Sequence, residues 1–245
     1  MSEVLDGRIA LVTGASRGIG RACALALAQA GAHVIATART EGALTELDDE
    51  ALAATGRNLT LVPAKLENGG GLDRLASAIG ARWGRLDVLV AAAGQLGPLT
   101  PLAHLETRDW EKTLTVNLTA NWRLVRALDP LFRASPSARP IFLTSSVART
   151  PRAFWGPYAV SKAALEAMVT TYAEETDHTA IRPVILNPGA MRTRMRAEAF
   201  PGEEPATLPD PAEIGPLVVD LARGDRDPPP YVSFREWQAR EVSVL

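Results

Sequence analysis

The chain has 245 residues, 47% of them hydrophobic and 22% charged, with a formal net charge of −2, a balance that excludes a disordered or low-complexity protein. No Lys/Arg run reaches the density of a nucleic-acid arm or a polybasic anchor, and no apolar stretch approaches the roughly 20 residues that span a bilayer. Cys23 is the only cysteine, which excludes an intrachain disulfide and points to a reducing compartment.

Short apolar runs alternate with helical patterns. Residues 8–13 (RIALVT) read as a buried strand, and 18–30 as a helix with Ile19, Cys23, Leu27 and Ala30 along one stripe. A second strand follows at 33–38, then a helix at 41–54 with Leu44, Leu47, Ala51 and Ala54 on one face. Residues 59–64 are a third strand, 72–83 a third helix and 86–92 a fourth strand. One long helix is expected over 107–132, ending near Pro130, and a fifth strand over 140–145. Pro157 at a first helical position opens a helix running to about Asp177, before a sixth strand at 181–186. This alternation predicts right-handed βαβ crossovers and a doubly wound parallel α/β sheet of six to seven strands, with helices on both faces, in a single domain over residues 1–245. After residue 190 prolines break the pattern. Two readings stand there: a plain irregular tail, or a covering loop over about 190–210, a short helix at 212–222 and a last edge strand near 231–234.

The first strand runs straight into Thr13-Gly14-Ala15-Ser16-Arg17-Gly18-Ile19-Gly20. Glycines at a strand-to-helix turn permit positive φ and let a ligand approach the backbone closely. The free N–H groups and positive dipole end of the helix behind Gly18 suit a pyrophosphate. The spacing is G-x-x-x-G-x-G rather than G-x-G-x-x-G, and its place in the first βαβ unit points to nucleotide binding. Gly14 to Gly18 also satisfies G-x-S-x-G, the nucleophile elbow of α/β-hydrolases, with Ser16 as nucleophile. That reading needs a histidine at a strand end. His33 opens a strand, and His104 and His178 lie in polar segments near helix ends, so nucleotide binding is preferred.

A second cluster is Tyr158-Ala159-Val160-Ser161-Lys162, where Tyr158 and Lys162 share a helix face. A tyrosine hydroxyl titrates near pH 10, and an adjacent ammonium favours its phenolate. Tyr158 is therefore a candidate general acid for a carbonyl oxygen receiving hydride. The fifth strand ends in Thr144-Ser145-Ser146, and a hydroxyl there can bind the same oxygen. Alone, the pair reads equally well as a packed tyrosine and a solvated lysine. The glycine turn and the serine-rich strand end move the reading towards chemistry.

Together these residues resemble the short-chain dehydrogenase/reductase family, over about residues 7–193. The resemblance implies a Rossmann fold, a nicotinamide cofactor and a small carbonyl or alcohol substrate. Thr13 to Gly20 matches the family's cofactor turn, assigning Gly14, Ser16, Arg17, Gly18, Ile19 and Gly20 to the cofactor. Asn117, Ser146, Tyr158 and Lys162 match its catalytic tetrad, with Ser145 the rival to Ser146. By analogy Asn117 holds a proton-relay water and Ser146 polarises the substrate oxygen. Tyr158 transfers the proton, and Lys162 lowers its pKa and binds the nicotinamide ribose. Asn187-Pro188-Gly189 with Thr193 matches the carboxamide-holding segment, so Pro188, Gly189 and Thr193 join the cofactor set. There are three departures. The family's Asn-Asn-Ala-Gly is here Ala91-Ala92-Ala93-Gly94, of which Ala93 and Gly94 can still line the cofactor. The acid usual after the third strand is Lys65. The usual C-terminal ending is absent.

The second strand ends Thr37-Ala38-Arg39-Thr40 without the acid that binds an NAD ribose. Arg39 and Arg17 can face a 2′-phosphate instead, so NADP(H) is preferred to NAD(H). Glu41 takes the acid's place if the strand runs one or two residues longer. Apolar substrate walls are expected from Phe154, Trp155, Met191 and Met195, and cationic partners from Arg149, Arg152 and Arg194. No metal site is expected. The short acidic start, residues 1–7, has no signal-peptide pattern. The expectation is a cytoplasmic NADP(H)-dependent oxidoreductase with no membrane or nucleic-acid partner. It is expected to form a homodimer or homotetramer through helices 107–132 and 157–177, the second offering small residues at Ala163, Ala164, Ala167 and Thr171. A dinucleotide-binding sensor is the competing class.

Overall fold

Alternation of the apolar side chains along each strand builds two cores on opposite faces of one sheet. In strand β1 (Ile9–Thr13), Ala10 and Val12 enter one core, while Ile9 and Leu11 enter the other. The computed structural model describes residues 4–242. Its other strands are β2 (His33–Ala38), β3 (Thr60–Pro63), β4 (Val88–Ala91), β5 (Arg139–Leu143), β6 (Val184–Asn187) and β7 (Tyr231–Ser233). All pair in parallel, in the order β3-β2-β1-β4-β5-β6-β7. The order reverses between β1 and β4, and ligands of such sheets bind at the carboxyl edge of that switch point.

The first core lies under α1 (Gly18–Gln29), α2 (Glu41–Thr55) and α8 (Gly215–Ala222). The second lies under α3 (Gly69–Trp83), α5 (Ala120–Arg133) and α6 (Gly156–Glu175), the last two adjoining α4 (Thr107–Leu114). Phe132 and Phe142 are the largest side chains fully buried there, where truncation to alanine costs about 3–5 kcal/mol.

Three features depart from the sequence reading. The helix expected over 107–132 is interrupted at Thr115–Thr119 by one π-helical turn, in which the Ala120 N–H bonds the Thr115 carbonyl. Such turns free a backbone carbonyl, and the Asn121 side chain takes the Asn117 carbonyl at 2.7 Å. The proline-rich segment after residue 190 is not a plain tail. It holds α7 (Arg194–Ala199), a capped turn at Pro211–Ile214 leading into α8, and the expected edge strand β7. Finally, α9 (Phe234–Val242) follows β7 unannounced, anchored by Phe234, which is buried and stacks on Trp237 at 6.0 Å.

At the amino edge of the sheet, buried Asp87 accepts from Ile9 N at 2.8 Å, Ser135 Oγ at 2.6 Å and Arg85 Nε at 3.1 Å. It joins β1 to the approach of β4 and β5, far from the carboxyl edge. Asp87→Asn replaces charge-assisted bonds by neutral ones and turns one acceptor into a donor. We expect a loss of about 1.5–3 kcal/mol, read as a lower urea midpoint with unchanged slope.

Candidate active site

The carboxyl ends of β1, β2, β4 and β5 open into a cavity of about 560 Å³. Of the residues assigned to the cofactor, Gly14, Ser16, Arg17, Gly18, Ile19, Gly20, Arg39, Ala93, Gly94, Tyr158, Lys162, Pro188 and Thr193 all border it. Gly189 does not border it; it turns the chain at φ +71 between Pro188 and Thr193, its N–H bonded to Asn187 Oδ1 at 3.0 Å. A Cβ at Gly20 would lie 2.3 Å from the Gly14 carbonyl oxygen, so only glycine lets α1 close onto the turn. A Cβ at Gly14 would lie 2.8 Å from the Ala93 backbone. Helix α1 opens at Arg17 with no side-chain cap, which leaves its first N–H groups for a ligand.

Ser16 borders the cavity, but no histidine does. His33 bonds Thr60 Oγ1 at the other edge of the sheet, and His104 and His178 are exposed. The nucleophile-elbow reading is thereby overturned.

Strand β2 stops at Ala38, and Glu41 already belongs to the first turn of α2, outside the cavity lining. The alternative of a longer strand delivering Glu41 to a ribose fails on this geometry. Exposed Arg17 and Arg39 have no ion-pair partner among the described residues, whereas Arg21, on the same rim, is held by Glu50 at 2.5 Å. After β3 it is Ala64, Leu66 and Glu67, not exposed Lys65, that border the cavity.

The missing asparagines after β4 are replaced in their bracing role. The Ala93 N–H bonds Thr13 Oγ1 at 3.2 Å. Buried Asn117 grips Gln95 at both ends, accepting from its N–H and donating to its carbonyl, each at 2.9 Å. Asn117 Nδ2 also donates to Ser161 Oγ at 3.0 Å. Asn117 thus joins the π-turn, the loop after β4 and α6.

Tyr158 and Lys162 lie on one face of α6, both buried, with Lys162 Nζ 5.8 Å from the Tyr158 ring centre. Lys162 Nζ donates to the Leu143 carbonyl at 2.7 Å. Burial draws its pKa down to about 8. Burial also pushes Tyr158 up to about 12, against a hydrogen bond from Ser145 that pulls it down. Desolvation of the phenolate is the larger of these two effects. Of the two rival serines, it is Ser145 whose hydrogen bond bears on the Tyr158 hydroxyl. Strand β5 ends at Leu143, so Ser145 still has extended backbone and faces α6, while exposed Ser146 begins a short turn over Ser146–Ala148.

Beside Tyr158 lie Trp155, with ring centres 6.0 Å apart, and Phe200, 5.5 Å from Trp155, with Leu96 and Met195. Phe200 escaped emphasis in the sequence because it sits in the proline-rich segment. Met191 is withdrawn into the first core, and Phe154 lines a separate groove with Leu102 and Val160. Of the three arginines expected near a substrate, Arg149 is paired with Glu166 and Arg194 with Glu198. Arg152 alone carries no ion pair among the described residues; its guanidinium lies 5.8 Å from the Phe200 ring centre.

A parallel sheet whose switch point carries a glycine cradle, with a tyrosine and lysine facing it, defines a dinucleotide-binding oxidoreductase architecture. The sequence places the chain within it: a short chain dehydrogenase family profile matches residues 8–204, and the chain belongs to that family of oxidoreductases. It is 40% identical to the uncharacterized oxidoreductase YciK of Escherichia coli K12 over 228 residues, which cover 91% of this chain and 89% of that protein. A short chain dehydrogenase from Shigella flexneri 2a strain 301, solved with NADP, superposes with a TM-score of 0.91 at 37% identity, over 95% of this chain and 98% of that one. Another from Escherichia coli CFT073, solved with NADPH, gives 0.87 at 39% identity, over 91% and 93%. Among the described residues no helix is long and apolar enough to cross a membrane, and no group of three or more His, Cys, Asp or Glu could hold a metal ion.

Proposed function

We propose that this protein is an NADP(H)-dependent reductase of small carbonyl compounds, with Tyr158 as the proton donor. The observation that carries this reading is that Tyr158 and Lys162 share the wall of a cavity whose other end is the Gly14–Gly20 cradle, with Ser145 behind the tyrosine hydroxyl. The uncapped α1 N-terminus would hold the pyrophosphate. Arg17 and Arg39, without an ion pair among the described residues, would hold a 2′-phosphate. Pro188 and Thr193 would flank the nicotinamide, which supplies the hydride when bound. Relatives solved with NADP and NADPH support the choice of cofactor.

Ser145 orients the substrate oxygen, and Tyr158 gives it a proton. A hydroxyl that titrates near 12 is fully protonated at neutral pH, as a general acid must be. Lys162, still largely cationic below its value of about 8, supports the phenolate left behind. Asn117 keeps the loop after β4 closed against α6. The segment 190–210, which brings Met195 and Phe200 to the site, covers the substrate. Trp155 and Phe200 favour an apolar or aromatic substrate body. We further assign the protein to the cytoplasm and to a homodimer or homotetramer. Ala163, Ala167 and Thr171 on α6 and Trp122 on α5 are exposed rather than packed on the chain's own sheet.

The test is calorimetric titration with NADPH and NADH side by side, followed by a carbonyl screen under NADPH. Tight NADPH and weak NADH are expected, with carbonyl-dependent oxidation of NADPH. Binding of both cofactors without turnover of any carbonyl would favour the sensor class. Preference for NADH would overturn the arginine assignment.

A further inference from the structure

We propose that Glu166 is a positioning residue that clamps the Ser145 loop to the helix carrying Tyr158. The inference rests on the roles given above to Ser145 and Tyr158. Tyr158, Lys162 and Glu166 follow one another at intervals of four along α6, so they form one stripe. The first two meet the cavity. The third meets the loop that leaves β5, and it does so twice. Glu166 Oε1 accepts the Thr144 hydroxyl at 2.7 Å, and Oε2 accepts Arg149 Nε at 2.8 Å. Residues 144 and 149 bracket Ser145. A single carboxylate therefore holds both ends of the six-residue loop that carries the serine.

Apart from the contact of Ser145 with Tyr158, the other hydrogen bonds of this loop run within it or to β6. Ala148 N bonds Ser145 O, Arg149 N and Thr150 N bond Ser146 O, and Thr144 N bonds Leu186 O. These shape the turn and Val147 packs it on Tyr158 and Ala159, while the Glu166 carboxylate ties both of its ends to α6. The Glu166 side chain is 13% exposed and its partner Arg149 is half exposed, so salt screens the pair only in part. The Arg149 guanidinium also lies 3.6 Å from the centre of the Tyr231 ring. Tyr231 in turn accepts from Asn187 Nδ2 at 3.0 Å, and Asn187 Oδ1 holds the Gly189 N–H. The clamp thus continues from the serine loop to the edge strand β7 and the Pro188–Gly189 turn. Glu166 itself does not border the cavity. Thr144, which it holds, does, so its effect passes through the loop that carries Thr144 and Ser145.

This makes a readout available that a merely structural residue would not move. Alcohol oxidation, the reverse direction, needs Tyr158 as phenolate. The groups facing the phenol are Ser145 and Lys162, and the rest of its surroundings, Leu96, Val147, Trp155 and Met195, are apolar. The Ser145 hydrogen bond favours the phenolate. Loosening Ser145 therefore raises the tyrosine, and the acid limb of kcat for oxidation moves to higher pH.

The experiment compares the pH profile of alcohol oxidation by NADP in wild type, Glu166→Gln and Arg149→Met. Glutamine keeps an acceptor for Thr144 and loses the ion pair. Arg149 is half exposed, so its replacement leaves a folded protein. With NADP bound, its cationic nicotinamide would draw the phenol down from about 12, and both variants are expected to shift the acid limb upward from there, Glu166→Gln by about one pH unit, the worth of one hydrogen bond to a charged group. Loss of alignment should lower kcat about tenfold, with NADPH affinity held within about twofold. Folded variants whose acid limb stays with wild type would overturn the clamp, even if their melting temperatures fall. Full activity of Tyr158→Phe would instead overturn the reading beneath it.

Discussion

Replacing Tyr158 by phenylalanine lowers kcat for carbonyl reduction by about 10²–10⁴-fold, the range supplied by a positioned general acid, and leaves NADPH binding within about twofold. The change removes one oxygen from a buried ring whose neighbours Trp155, Leu96 and Val147 are apolar. Packing is therefore retained, and the loss is specific to proton transfer. The measurement is NADPH oxidation against a panel of aldehydes and ketones, with calorimetry on the same preparation. Binding lost together with activity would mean that the tyrosine serves the cofactor. Activity retained would remove it from the chemistry. The pH dependence has a fixed sign. Burial holds Tyr158 protonated to about 12 and lets Lys162 lose its charge near 8. Reduction should be flat through neutral pH and decline as pH rises through about 8, with Lys162 the group responsible. Lys162→Met, which has no charge to lose, should be slow at every pH and lack that limb.

Most of the sheet was legible because its strands are short apolar runs between helices of clear period, and buried parallel strands need nothing else. Strand β2 falls on the residues expected of it. What was missed had local causes. The π-turn carries no sequence period of its own; it is held by Asn121, which bonds the Asn117 carbonyl, and by the Asn117 side chain, whose partners Gln95 and Ser161 lie on other elements. Helix α9 was hidden behind Pro228, Pro229 and Pro230, and its anchor, Phe234, makes sense only once the first core exists. The capping box of Asp210 with Glu213, by contrast, follows a known local pattern and was available to a closer reading.

The site divides along the same line. The glycine turn and the Tyr158–Lys162 spacing are contiguous in sequence, so their geometry follows from the turn and the helix alone. The choice between Ser145 and Ser146 does not. It depends on where β5 stops and how the next turn is wound, and a one-residue difference turns a side chain from α6 to solvent. Glu166 was unreadable for a further reason: both of its partners come from a loop whose fold it helps to set. Spacing finds residues that act from one element, while residues that act between elements need coordinates.

The second large effect concerns the cofactor. Arg39→Asp should reverse the preference from NADPH to NADH. Arg39 stands one residue beyond β2, on the cavity rim, exposed and without an ion pair among the described residues. Arg17 faces the same rim from the turn before α1, and among the described residues it too has no ion pair. A carboxylate at 39 repels a 2′-phosphate and offers an acceptor to a 2′-hydroxyl, the arrangement of NAD-binding sheets. Each lost charge-assisted contact is worth about 1.5–3 kcal/mol, so NADPH should weaken about 10- to 100-fold while NADH tightens. Arg17→Gln should weaken NADPH by a similar factor with no gain in NADH, since it adds no acceptor. Glu50 shares this rim but is tied to Arg21 at 2.5 Å, and Glu41 lies outside it. Neither acid competes for the ribose, and the switch should rest on residue 39. An unchanged NADPH/NADH affinity ratio in Arg39→Asp would show that the phosphate is bound elsewhere on the cavity wall.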